Sequence, residues 1–312
     1  MNNLVILTGP TAVGKTNISI KLAQAIGGEI ISADCMQVYK YMDIGTAKIR
    51  ANEMDGVPHH LIDCMDPSEE FNVVEFVTRA KEAMQGIYER GHIPIICGGT
   101  GFYIQALLYD VDFTKGAEDK ALREELASFA KMNGALALHE MLKEVDEESA
   151  NSIPAANVKR VIRAIEYYRL TGQTFSEYNR LQSERNAVYN FCYFVLNDNR
   201  DILYNRIDKR VDIMMEDGLL QEINELLDKG YTRDMNSMTG IGYKEMLDYI
   251  DGEATLEEAI DKIKQNSRHY AKRQLTWFRR EKEVYWLDKQ KLKSDDEILD
   301  VMLGELKNRG II

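Results

Sequence analysis

The sequence predicts an α/β fold in which helices flank a parallel sheet and an all-helical subdomain is inserted between two strands. Short apolar runs alternate with helical patterns, as expected when parallel strands are joined by crossover helices. A glycine-rich loop joins the first run to an amphipathic stretch, and a long segment before the fifth run has only helical periodicity. The six runs predicted as strands are residues 4–7, 29–32, 60–62, 93–97, 191–196 and 284–287.

These patterns divide the chain into two domains. We place a core domain at residues 1–113 and 191–312, and a helical insertion domain at residues 114–190. An insertion of this length between two strands is typical of the lids and clamps that close over active sites.

The composition excludes several classes of protein. The chain has 312 residues, 45% of them hydrophobic, and a net charge of −12, which argues against general attraction to nucleic acid. Lys and Arg nevertheless cluster at residues 264–282, where a local basic surface can bind a polyanion. We expect no membrane association, because there is no long apolar stretch and the chain starts directly in a predicted strand. Four scattered cysteines argue against zinc or disulfide sites and favour a reducing, cytoplasmic location.

The glycine-rich loop is a complete phosphate-binding motif. It reads GPTAVGKT, follows the first predicted strand and precedes a helix, which is the context that such a loop requires. Successive backbone N–H groups of the loop and the positive end of the helix dipole form an anion site. Lys15 is predicted to neutralise phosphate charge, and the Thr16 hydroxyl to bind Mg²⁺. The predicted loop residues are Gly9, Pro10, Thr11, Ala12, Val13, Gly14, Lys15 and Thr16.

Two segments after the second and third strands carry further candidates. Asp34 directly follows the second strand, at the edge where open α/β sheets bind ligands. Its carboxylate is suited to bind Mg²⁺, to act as a general base or simply to cap a turn. Gln37 either bonds a base edge or faces solvent. Asp63, after the third strand, is an alternative acidic residue for the phosphate site, and His59 and His60 point to opposite faces and form a poor metal pair.

The fourth strand ends in GGTGFY rather than in an acidic residue. Its glycines permit close approach of the backbone to a ligand, and Thr100 supplies a hydroxyl for a second phosphate contact. The absence of an acidic residue at the end of this strand argues against a motor-type NTPase. Asp34 is then the candidate acidic residue of the site.

Basic helices follow in both predicted domains. Residues 157–172 place Arg160 and Arg163 on one helix face, which suits either phosphate and nucleic-acid contact or a solvated face paired with Glu166. Residues 267–282 interleave cations with Trp277 and Phe278, an arrangement suited to RNA or to an amphipathic helix with its aromatic residues in the core.

Taken together, these stretches resemble the tRNA dimethylallyltransferase family, also called tRNA isopentenyltransferases. The matching segments are GPTAVGKT, SADCMQVYKYMDIGTAK, PHHLID, GGTGFY, NVKRVIRAIE, GLLQEI, GIGYKE and RHYAKRQLTWFRR, in this order from Gly9 to Arg280. The resemblance implies a P-loop, kinase-like core. It also implies transfer of a dimethylallyl group from dimethylallyl diphosphate to N6 of the adenosine 3′-adjacent to the anticodon in tRNA, with Mg²⁺ as cofactor.

The resemblance also implies a role for each matching residue. The P-loop and Mg²⁺ would stabilise the leaving diphosphate, with Thr16 as metal ligand, Asp34 as general base, and Thr16 and Thr100 in the catalytic set. The residues implied to contact the tRNA anticodon stem-loop are Asp34, Cys35, Met36, Gln37, Thr100, Arg123, Lys159, Arg160, Val161, Ile162 and Arg163.

One departure from the family pattern and two alternative functions accompany this interpretation. The family usually has Ser after the catalytic Asp, whereas this chain has Cys35, which puts any role of that hydroxyl in doubt. No Cys/His-rich tail follows the basic segment, unlike in the zinc-bearing eukaryotic relatives, so we expect a bacterial-type enzyme. We expect no obligate protein partner. The alternatives are a P-loop small-molecule kinase that uses ATP, and a non-catalytic RNA-binding protein.

Overall fold

The N-terminal and C-terminal parts of the chain together form a parallel sheet. The computed structural model describes residues 1–111 and 119–312, apart from the side chain of Ser183. Six strands are present in these residues: β1 (Asn3–Thr8), β2 (Gly28–Ala33), β3 (His59–His60), β4 (Ile93–Gly98), β5 (Asn190–Asn197) and β6 (Val284–Asp288). They lie in the order β3-β2-β4-β1-β5-β6, and each neighbouring pair is parallel. The predicted α/β class is confirmed.

Helices connect the strands. The described residues form thirteen α-helices: α1 (Lys15–Ile26), α2 (Val73–Glu89), α3 (Gly101–Leu108), α4 (Lys120–Asn133), α5 (Ala135–Val145), α6 (Glu147–Ser152), α7 (Val158–Thr171), α8 (Phe175–Ser183), α9 (Arg200–Glu216), α10 (Leu219–Asp228), α11 (Tyr243–Ile250), α12 (Leu256–Phe278) and α13 (Asp295–Asn308). The chain forms two compact units, here called the core unit (Met1–Leu108 with Tyr189–Ile312) and the helical unit (Tyr109–Val188). The boundary that we predicted between residues 113 and 114 lies outside the described residues.

The central strands end together at one edge of the sheet. Every residue of β2 is buried, as are the last five of β1, because both strands are covered on two faces. The pairing register sets Thr8 of β1 and Ala33 of β2 on either side of Gly98, the last residue of β4. The three loops that follow these strands therefore begin side by side, at the edge where parallel sheets bind ligands.

Two long helices of the core unit are joined by ion pairs. The α12 helix begins with a capping box, in which Thr255 and Glu258 satisfy each other's backbone N–H groups. In its middle part Lys264 and Arg268 pair with acidic residues of α9, Asp212 and Asp208. These contacts fix α12 against α9 near the ligand edge.

The third strand is shorter than predicted. We expected a strand at residues 60–62, but β3 contains only His59 and His60. Leu61 and Asp63 have φ values of 60° and 52°, and this left-handed backbone cannot continue a strand. The local hydrophobic pattern was insufficient to reveal the turn.

The helical unit has a hydrophobic core of its own. Leu138 and Leu142 of α5 pack in one cluster with Val161 and Ile165 of α7, and all four side chains are buried. None of the helices in the described parts of the chain combines the length and apolar composition needed to cross a membrane.

A buried carboxylate stabilises the sheet edge opposite the ligand loops. Arg90 donates two hydrogen bonds of 2.8 Å to Glu29, near the start of β2. The rings of His60 and His92 lie 2.6 and 2.7 Å from the Glu29 oxygens. The hydrogen bonds from Arg90 lower the pKa of Glu29 from its usual 4.5 to about 2, against the effect of burial. The ionised form of Glu29 therefore favours the folded chain.

Replacing this carboxylate should make stability less dependent on acid pH. Glu29→Gln should reduce the free energy of unfolding at pH 7 by roughly 2–3 kcal/mol, because the folded state prefers the charged form. A carboxyl group whose pKa is lowered on folding stabilises the folded state fully at pH values above its pKa in the unfolded chain. This stabilisation is lost as the pH falls from about 4.5 to about 2. Urea unfolding at several pH values should show the two proteins converging in this window. The exposed Glu82→Gln variant is the control, and a pH-independent deficit of Glu29→Gln would contradict the assignment.

Candidate active site

The P-loop has the geometry of an anion site. Gly14 caps α1 with φ of 95°, a left-handed conformation that favours glycine. No side chain caps the first turn of α1, so its backbone N–H groups remain directed toward the loop. Lys15 Nζ donates to the carbonyl oxygens of Gly9 and Pro10 at 3.0 and 2.9 Å. The ammonium is thus folded over the loop that the sequence predicts to hold phosphate.

The charge on Lys15 is not fully compensated by the protein. Burial lowers its pKa from 10.5 to about 8, with the nearby Arg210 charge acting in the same direction. The Asp34 carboxylate opposes this effect. A bound anion would restore the stability of the charged form.

Asp34 lies directly after β2 and has one of its predicted roles, that of a turn cap. Its Oδ1 accepts a hydrogen bond of 2.9 Å from the backbone N–H of Met36, so one oxygen caps the turn. The carboxylate also lines a cavity and interacts with the charges of Lys15 and Arg210. A turn cap does not exclude a base, because the second oxygen is left for a ligand.

Gln37 is held by the loop that follows it. Its Nε2 donates to the carbonyl oxygens of Thr46 and Ala47 at 3.3 Å each. The backbone N–H groups of residues 43–45 donate to the buried Glu222 carboxylate at 2.7–3.1 Å, which fixes the start of this loop. Thr46 and Ala47 line the cavity, whereas Gln37 is not among its lining residues.

Thr100 lies at the start of α3, beside the end of β2. Its backbone N–H donates to the carbonyl oxygen of Ala33 at 3.1 Å. The buried Thr100 Oγ1 makes no hydrogen bond of standard geometry with a described residue, and the groups beside it are the Cys35 thiol and the Tyr270 hydroxyl. Burial raises the pKa of Cys35 to about 12, with the Asp34 charge acting in the same direction, so the thiol is neutral. Cys35 therefore offers only a weak donor at the position where the family that the sequence resembles usually has the hydroxyl of Ser.

The ligand-edge loops open into a cavity of about 490 Å³ within the core unit. Its polar lining includes Thr11, Asp34 and Arg210. Its apolar lining includes Phe71, Tyr103, Ile207, Val211, Met214 and Ile263. The cavity therefore joins a charged region to a wall that suits a hydrocarbon group.

Arg210 is a site residue that our sequence analysis missed. Its Nη1 donates to Thr11 Oγ1 at 3.4 Å, and burial lowers the pKa of its guanidinium while the Asp34 charge opposes that effect. The signal was present in the sequence, because Arg210 lies on the same helical face as the buried Ile207 and Val211. A cation within an apolar stripe indicates a functional position.

A larger cavity of about 700 Å³ lies elsewhere in the core unit. Among the described residues its lining contains Asp63 and Lys48 but no residue of the P-loop. Asp63 accepts a hydrogen bond of 2.5 Å from the buried Lys48 Nζ. The prediction that Asp63 is an alternative acid of the phosphate site is therefore wrong.

In the helical unit, two of the predicted RNA-binding cations are already paired. Arg123 donates to Glu166 at 2.8 and 2.9 Å, and Arg163 donates to the same carboxylate at 2.7 Å. Burial disfavours the charged form of Glu166, but these hydrogen bonds outweigh burial and lower its pKa. Lys159 and Arg160 are exposed and form no salt bridge within residues 1–111 and 119–312. The face predicted as basic is thus partly paired with Glu166 and partly unpaired.

Val161 and Ile162 require a correction. Their side chains are 0% and 7% exposed and belong to the core of the helical unit. We predicted that both contact tRNA, but buried apolar side chains at these positions stabilise α7 and are not available to an RNA ligand.

Comparisons with known proteins agree on one family. The family model described as IPP transferase matches residues 37–281. A tRNA dimethylallyltransferase from Lachnoclostridium phytofermentans is 54% identical over 312 residues, with 100% of both chains covered. The crystal structure of a tRNA isopentenylpyrophosphate transferase from Bacillus halodurans is similar with a TM-score of 0.74 and 46% identity, covering 99% of this chain and 98% of that one. A eukaryotic dimethylallyltransferase acting on tRNA gives a TM-score of 0.78 and 32% identity, covering 92% and 74%.

The cavity geometry leads to a prediction about diphosphate binding. Arg210→Met should weaken the binding of inorganic pyrophosphate by roughly 10- to 100-fold, since a hydrogen bond to a charged group contributes about 1.5–3 kcal/mol. Arg206→Met is the matched control, because Arg206 is also on α9 but pairs with Asp198. Calorimetric titration measures both, and equal affinities for the two variants would count against Arg210 as an anion ligand.

Proposed function

The chain belongs to the IPP transferase family, and we propose that it transfers a dimethylallyl group from dimethylallyl diphosphate to N6 of the adenosine 3′-adjacent to the anticodon in tRNA. The observation that carries this proposal is the cavity in which the partly buried Arg210, the Asp34 carboxylate and an apolar wall meet, beside the P-loop that carries Lys15. A diphosphate with a short hydrocarbon group matches this combination, whereas a nucleoside triphosphate leaves the apolar wall unexplained.

In the proposed reaction the allylic C1–O bond breaks and a C1–N6 bond forms. The electron pair of the broken bond passes to the diphosphate oxygen, and the proton of N6 passes to Asp34. The P-loop N–H groups, Lys15 and Arg210 would stabilise the charge that develops on the leaving diphosphate. Thr100 Oγ1 would donate a hydrogen bond to the same anion. The apolar wall would exclude water from the reactive carbon.

Magnesium fits the proposed site as a partner of the diphosphate. The Thr16 hydroxyl is exposed in the first turn of α1, but the described residues contain no group of three His, Cys, Asp or Glu side chains able to hold a metal. The protein alone would thus supply few ligands, and diphosphate oxygens and water would supply the others, as is usual for Mg²⁺. When bound, the ion would neutralise charge on the leaving diphosphate.

The target adenosine must leave the stacked anticodon loop to reach the cavity, as bases do in other base-modifying enzymes. Gln37 would form a hydrogen bond to the edge of this adenine. Its amide would then give up its hydrogen bonds to the carbonyl oxygens of Thr46 and Ala47. Lys159 and Arg160 would bind RNA phosphates, and Arg123 and Arg163 would do so while held by Glu166. Cys35 and Met36 would lie along the base.

The proposed base is tested by Asp34→Asn. The amide keeps an oxygen for the N–H of Met36, so the turn is preserved while the proton acceptor is lost. Formation of N6-dimethylallyladenosine should fall by roughly 10²- to 10⁴-fold, with tRNA affinity unchanged. Product is quantified by mass spectrometry of digested tRNA. Wild-type turnover in this variant would remove Asp34 from the role of base, and phosphorylation of an acceptor by ATP without prenylation would support the kinase alternative.

The proposed RNA contacts are tested by their salt dependence. The variants Lys159→Ala and Arg160→Ala should each weaken tRNA binding and reduce the slope of log affinity against log salt by about 1. Arg169→Ala on the same helix is the control, because Arg169 already pairs with Glu125. Filter binding from low to moderate salt measures the slopes. Slopes equal to that of the wild-type protein would contradict phosphate contact.

A further inference from the structure

Gln274, in the second half of α12, connects two ligand-edge loops. Its Oε1 accepts a hydrogen bond of 2.9 Å from the backbone N–H of Thr11 in the P-loop. Its Nε2 donates at 3.0 Å to the carbonyl oxygen of Gly99, in the loop that leads to Thr100. One side chain from a distant part of the sequence thus bonds the main chains of both loops.

The orientation of the Gln274 amide follows from its partners. Thr11 presents a backbone N–H, which can only donate, and Gly99 presents a carbonyl, which can only accept. The oxygen must therefore face Thr11 and the nitrogen must face Gly99. Gln274 is 5% exposed, so breaking either bond leaves a buried polar group unsatisfied.

The approach of α12 to these loops depends on the glycine at position 99. A Cβ atom added to Gly99 would lie 2.1 Å from Gln274 Nε2, far closer than any normal contact. Thr11 is bonded on its other side by Arg210 of α9. The P-loop is therefore held by residues of two helices that follow β5 in the chain.

We propose that Gln274 is a positioning residue, which fixes the spacing between the P-loop and the Thr100 hydroxyl. This inference rests on the proposed function, because it assumes that both loops contact one diphosphate. Without the two Gln274 hydrogen bonds, every group that is proposed to contact the diphosphate remains, but the distance between the two loops is no longer fixed. A displacement of about 1 Å in such a site lowers turnover by up to about 10²-fold.

The first test removes both hydrogen bonds at nearly constant side-chain size. Gln274→Met should weaken pyrophosphate binding by roughly 10-fold or more and raise KM for dimethylallyl diphosphate, with KM for tRNA unchanged. Phe278→Leu is the matched control, because Phe278 is buried on the same helix but lies outside the cavity lining. It should lower the melting temperature without changing pyrophosphate affinity.

The second test uses a carboxyl group in place of the amide. In Gln274→Glu, the protonated carboxyl can accept from Thr11 and donate to Gly99, as the amide does. The ionised carboxylate cannot donate, and it repels both the Gly99 carbonyl and the diphosphate. The ratio of the pyrophosphate Kd of the variant to that of the wild type should therefore rise with pH. Using the ratio cancels the titration of pyrophosphate itself.

The outcomes separate this inference from the proposed function. Wild-type pyrophosphate affinity in Gln274→Met, or equal losses in Gln274→Met and Phe278→Leu, would overturn the positioning role. If Gln274→Met does not fold, a pH-independent Kd ratio for Gln274→Glu would overturn it. Pyrophosphate binding requires no tRNA, so a wild-type protein that fails to prenylate tRNA would refute the proposed function and leave this measurement intact.

Discussion

The arrangement of the site depends on two partly buried cations at the end of a parallel sheet. Lys15 and Arg210 both have lowered pKa values because burial disfavours their charged forms, and each is opposed by the Asp34 carboxylate. A single carboxylate cannot neutralise two cations. The folded protein thus carries an electrostatic cost that a bound anion would relieve, and a diphosphate is large enough to meet both charges.

The other groups of the site are arranged around these charges. The common ends of β1, β2 and β4 bring the P-loop, Asp34 and Thr100 together. Helices from the C-terminal half then complete the site, since α9 supplies Arg210 and α12 supplies Gln274. The apolar wall lines the same cavity as Asp34 and Arg210, as the proposed transfer of a hydrocarbon group from diphosphate requires.

The sequence predicted those features that depend on local pattern. Strand order along the chain, the P-loop and the position of Asp34 after β2 are encoded in short segments whose residues act together. Gln274 could not be identified this way, because its partners Gly99 and Thr11 lie 175 and 263 residues away. Arg210 was missed although its place among the buried apolar residues of α9 is part of the local pattern. Val161 and Ile162 were assigned to RNA by resemblance, although the helical pattern of α7 already placed them in the core. The prediction carried the third strand on to residue 62, because the positive φ of Leu61 cannot be recognised from the hydrophobic pattern.

The central claim is that the P-loop holds a departing diphosphate and that no nucleotide is consumed. The most direct measurement is the stoichiometry of a single turnover with dimethylallyl diphosphate, Mg²⁺ and unmodified tRNA, in the absence of ATP. We expect one pyrophosphate to be released for each N6-dimethylallyladenosine formed. A requirement for ATP, or inorganic phosphate appearing in step with product, would contradict the account.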